Sequence, residues 1–84
     1  MQISEMKNLG PKSTAILAKI GIHTRDDLEA IGAVDCYNIL KNQHYNVNLN
    51  MLYALESALL DIPITQLSND IKQHLQAALK APRL

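Results

Sequence analysis

The chain has 84 residues, eight basic against eight acidic, a formal net charge of zero and 48% apolar residues. These values predict one folded domain with a modest core, exclude long disorder, and withhold the strongly basic balance usual in nucleic-acid binders. A single cysteine, Cys36, excludes an internal disulfide and fits a cytoplasmic setting. No apolar run approaches the roughly 20 residues that span a bilayer, and Met1-Gln2-Ile3-Ser4-Glu5 lacks a signal-peptide pattern.

Sustained apolar and polar alternation is missing, so the pattern predicts an all-α domain, a bundle of about five short helices over residues 1–84 with an ordered core of about 3–80. Ile3, Met6 and Leu9 have the i, i+3 spacing of a short first helix with Ser4 as a cap. Gly10-Pro11 must end it, because proline disfavours helical geometry in the residue before it. Pro11 suits the first position of the next helix, whose buried stripe is Ile16, Leu17 and Ile20, and Gly21 is its left-handed stop.

Thr24 and Asp27 form a capping box with Asp in place of the usual Glu or Gln, and Leu28 and Ile31 give that short helix its apolar side. Gly32 closes it. Ala33, Cys36, Tyr37 and Leu40 recur at helical spacing, and the polar run Lys41 to Asn46 reads as the helix end and a loop that exposes Tyr45. Asn48 caps the following helix, which is apolar from Leu49 to Leu60 on almost every side and so belongs in the middle of the bundle, with Ser57 on its least apolar side. Asp61-Ile62-Pro63 ends it. Ser68 caps a last helix whose apolar face is Ile71, Leu75, Ala78 and Leu79.

Chemistry-bearing constellations are few. His23, His44, His74 and Cys36 lie far apart, at none of the paired spacings of structural zinc, so neither a metal nor another cofactor is expected. No nucleophile motif accompanies the serines, which argues against an enzyme and for no catalytic residues. The acidic group Asp26, Asp27, Glu29 and Asp35 reads as a solvated face. With no Phe or Trp, there are no stacking platforms for single-stranded nucleic acid.

The candidate binding residues are Lys7, Asn8, Gly10, Lys12 and Ser13. They surround a tight turn that opens a helix, where main-chain N–H groups and the positive end of the helix can receive a phosphate. Lys12 would supply charge and Ser13 a hydroxyl. The turn resembles that of a helix-hairpin-helix, a motif of the helical class that also contains SAM-like folds, and the two glycines one residue apart of that motif are represented here by Asn8 and Gly10; asparagine tolerates positive φ better than other non-glycine residues. Read structurally, the same turn only rounds a corner and its polar residues are solvated.

Asn8-Leu9-Gly10-Pro11-Lys12-Ser13, then Gly21-Ile22-His23-Thr24, Asp27-Leu28, Ile31-Gly32-Ala33-Val34 and Asn48 to Glu56, taken in this order, resemble the C-terminal domain of the TfoX (Sxy) competence regulators from about Met6 to Leu79. The resemblance implies an auxiliary domain in regulating natural DNA transformation, acting with a transcription regulator such as the cyclic-AMP receptor protein. Full-length family members carry a further N-terminal domain, so the chain is expected to be an isolated domain or a stand-alone relative. Two modes of action follow: a sequence-independent contact with double-stranded DNA, or a protein-protein or self-association role with no DNA contact.

Overall fold

In the computed structural model, which describes residues 1–80, five α-helices follow a single 3-10 turn. They are α1 (Pro11–Lys19), α2 (Arg25–Ile31), α3 (Ala33–Asn42), α4 (Leu49–Leu60) and α5 (Asn69–Lys80), and a second 3-10 turn, Ile64–Gln66, lies between α4 and α5. Among the described residues there is no strand, only an isolated antiparallel bridge between Gln2 and Thr24.

Local chemistry sets the boundaries. Pro11 begins α1, where its missing N–H loses no helical bond. At the other end Gly21 adopts φ 85°, its N–H donates to the Ala18 carbonyl, and the Ile22 N–H donates to the Leu17 carbonyl. That pair of bonds is a Schellman stop, and Leu17 and Ile22 are both buried beside it. The capping box of α2 is complete: Thr24 Oγ1 accepts from the Asp27 N–H, while Asp27 Oδ2 accepts from the Thr24 N–H. Asn48 Oδ1 caps α4 through the Asn50 N–H at 3.0 Å, and Ser68 Oγ accepts from the Ile71 N–H at the start of α5.

The expected first helix is one 3-10 turn, Ile3–Glu5, after which Met6 is extended. A 3-10 turn has three residues per turn, so Ile3 and Met6 face the core equally well in it, and the extended chain delivers Leu9 to the same core. Gln2, not Ser4, precedes that turn, and no side chain caps it.

The core is built from Ile3, Leu17, Leu28, Leu40, Leu52 and Leu55, all at most 1% exposed, with Cys36 among them. α3 and α4 form its hub together: α3 packs on α2, α4 and α5, and α4 also meets α2 and the second 3-10 turn. The apolar ends of α4 reach the surface, where Leu49 and Leu60 are exposed. Tyr45 is half-buried against the core, because the chain turns inward after His44 adopts positive φ.

Ser57 is the main correction to the pattern of α4. It is fully buried. Its hydroxyl donates to the Tyr53 carbonyl at 2.8 Å, with the Ala54 carbonyl at 3.2 Å, and accepts a hydrogen bond from Asn8. A buried hydroxyl with all these partners carries no desolvation penalty of the unpaired type.

Candidate functional site

The turn before α1 is fixed from two sides. Leu9 is buried, and Asn8 adopts φ 70°, the left-handed conformation expected where a hairpin turn has lost its first glycine. The Asn8 side chain then clamps the turn onto the end of α4. Its Nδ2 donates to Ser57 Oγ at 3.0 Å and to the Ile62 carbonyl at 2.8 Å, and its Oδ1 accepts from the Ile64 N–H at 3.0 Å. The amide of Asn8 is therefore committed inside the protein, and a ligand at the turn would meet other groups.

Those groups face solvent. Gly10, at the N-cap of α1, and Lys12 are exposed, and Ser13 is half-buried with its hydroxyl 3.9 Å from Met51 Sδ, a weak acceptor. No side chain caps α1 or α3, whereas Thr24, Asn48 and Ser68 cap α2, α4 and α5. The Gly10 carbonyl accepts the first helical bond, from the Thr14 N–H at 2.9 Å, so N–H groups of the first turn are left to an outside acceptor. Gly10 has φ −89°, open to any residue, and a Cβ there would meet nothing within 4 Å.

Charge around the turn is thinner than the sequence suggests. Lys7 Nζ lies 4.0 Å from Asp61 Oδ1 and donates a long bond, 3.5 Å, to the Asp61 carbonyl. Lys19 sits in the last turn of α1, about 10 Å along the helix from Lys12. Lys12 is thus the cation nearest the uncapped N-terminus of α1, and the basic surface at the turn is a single corner.

Beside that corner runs a cleft of about 220 Å³ between α1 and the segment entering α4. Lys12, Ser13, Asn46, Asn48 and Asn50 line its polar side, and Ile16, Val47 and Met51 its apolar side. The alternating Asn46-Val47-Asn48-Leu49-Asn50 run is visible in the sequence, but its meeting with α1 needs the fold. A second cleft, about 280 Å³, lies where α5 meets the α2–α3 junction and brings Asp35, Glu56 and His74 to one opening. No serine, cysteine or lysine lines it.

Among the described residues no group of three His, Cys, Asp or Glu side chains is placed to hold a metal ion, and no helix is long and apolar enough to cross a membrane. Cys36 is buried, and loss of hydration pushes its thiol pKa up to about 11, away from reactivity.

A model of the TfoX C-terminal domain family matches residues 1–79. No curated protein matches the chain. The crystal structure of an uncharacterized protein from Listeria monocytogenes superposes with a TM-score of 0.82 at 28% identity, covering 100% of this chain and 99% of the other.

Proposed function

The chain belongs to the TfoX C-terminal domain family, and from that premise we propose that it is an auxiliary module in the transcriptional regulation of natural competence, adding one phosphate contact to double-stranded DNA. The observation that supports this reading is the solvent-facing, side-chain-free N-terminus of α1 with Lys12 beside it. Main-chain amides of the first turn receive a phosphate oxygen, Lys12 supplies the counter-charge, and Ser13 adds a hydroxyl donor.

Magnitudes restrict the role to an auxiliary one. With Lys12 acting alone, or with Lys7 freed from Asp61, about one or two phosphates are neutralised, which gives a salt slope of about −1 to −2 in log K against log salt. Dedicated binders make several times as many contacts. A domain of zero net charge therefore binds bare duplex only weakly and works beside a partner already seated on the DNA; a regulator such as the cyclic-AMP receptor protein fits that place, and the work is cytoplasmic.

A salt-dependent titration with a short duplex tests the reading. Weak binding at low ionic strength, with the shallow slope above and further loss in Lys12→Glu, is the expected result. Absence of binding at low salt with the fold intact overturns it and transfers the function to protein-protein contact or self-association.

A further inference from the structure

We infer that the cleft beside the turn is the seat of a phosphodiester strand, so that the nucleic-acid footprint continues from Lys12 across the segment entering α4 and is completed by the side-chain amides of Asn46 and Asn50. This rests on the phosphate reading of the turn and extends it to residues outside the hairpin. Asn46 and Asn50 are exposed, and among the described residues neither side-chain amide has a partner. Both line the same cleft as Lys12 and Ser13.

The chemistry of the lining selects the ligand. Lys12 is the one ionised side chain among the cleft-lining residues and no carboxylate joins it, so on a protein of zero net charge this cleft favours an anion. One cation matches the single charge of a phosphodiester better than the −1.5 to −2 charge of a phosphate monoester. Neutral amides donate to phosphate oxygens without adding charge, a mode common in backbone contacts. The apolar wall of Ile16 and Met51 offers a surface for the sugar between two phosphates. Asn48 does not take part through its oxygen, which already caps α4.

The side-chain NH2 signals of asparagine are observed separately by NMR, so a titration of the isotope-labelled protein with a short duplex reads the cleft directly. Asn46 and Asn50 signals are expected to shift along with the Lys12 and Ser13 amides, and Asn50→Asp is expected to weaken duplex binding about tenfold. This substitution keeps the fold, because a carboxylate in the first turn of α4 suits the helix's positive end; unchanged thermal stability verifies it. Asn46→Asp, in the preceding loop, is the second variant.

Loss of binding in Lys12→Glu with wild-type affinity in both asparagine variants overturns the cleft while leaving the turn contact standing. No duplex binding in any form overturns both. Acetate at matched ionic strength moving the asparagine signals as far as the duplex does overturns the phosphodiester assignment in favour of a carboxylate.

Discussion

Asn8 Nδ2 donates to Ser57 Oγ at 3.0 Å across a sequence separation of 49 residues, and this bond fastens the hairpin turn to the buried side of α4. The same side chain also holds the Ile62 carbonyl and the Ile64 N–H, so one residue sets the approach of the turn, the end of α4 and the 3-10 turn after it. Asn8→Ala removes all three bonds and leaves a residue with a Cβ, without asparagine's local hydrogen bonding, at φ 70°. At about 0.5–1.5 kcal/mol for each bond and about 1–2 kcal/mol for the left-handed backbone, the expected loss is about 2.5–6.5 kcal/mol in urea unfolding. Asn8→Gly is expected to lose about 1 kcal/mol less, since glycine removes the backbone term alone.

Acid sensitivity is expected at the start of α2. Asp27 Oδ2 accepts the His23 N–H at 3.0 Å and the Thr24 N–H at 3.2 Å, and these bonds, the His23 one foremost, hold its pKa below the ordinary value. A depressed carboxylate stabilises the fold above the unfolded pKa of about 3.9, and the contribution is lost as pH falls toward the folded value. Thermal melts between pH 6 and pH 2 follow this, and Asp27→Asn is expected to flatten the fall at the acid end. An equal acid slope in both proteins contradicts it.

The Cys36 thiol is expected to resist alkylation in the native state. A pKa of about 11 leaves a far smaller thiolate fraction near pH 8 than the ordinary value of about 8.5 allows. The side chain is also fully buried. Labelling by iodoacetamide is expected to be at least ~100-fold slower than in denaturant, where the group is freed. Native labelling at the denatured rate contradicts the burial.

Features made by neighbours in sequence were legible before the fold was known. The Thr24–Asp27 box, the Asn48 and Ser68 caps, Pro11 as an opener and Gly21 as a stop all arise within one turn of the chain. What escaped depends on distant partners. Ser57 looks like a surface residue of an apolar helix until Asn8 arrives to bond it, and Lys7 looks like a free cation until Asp61 lies beside it. Ile3, Met6 and Leu9 specify burial but not the type of turn, because a spacing of three serves a 3-10 turn as well as a helix. The candidate site was legible as a turn; its cleft was not, since Asn46 and Asn50 come to Lys12 only through the packing of the segment entering α4 near α1.

Two glycines of this chain are expected to answer substitution by alanine in opposite ways. Gly32, between α2 and α3, has φ 85° and ψ 158°, a region essentially closed to residues with a Cβ, so Gly32→Ala is expected to lose about 1–3 kcal/mol although the space around it is open. Gly10 has φ −89°, and a Cβ there also meets nothing within 4 Å, so neither its backbone nor its packing requires glycine. Gly10→Ala is therefore expected to leave the unfolding midpoint nearly unchanged. A methyl group at Gly10 nevertheless stands where a phosphate would approach the first amides of α1, so a phosphate contact there makes the variant weaker in duplex titrations while its stability stays put. Unchanged duplex binding in Gly10→Ala, in a protein whose Lys12→Glu form has lost it, places the contact on the lysine and cleft side and away from the main chain of the turn.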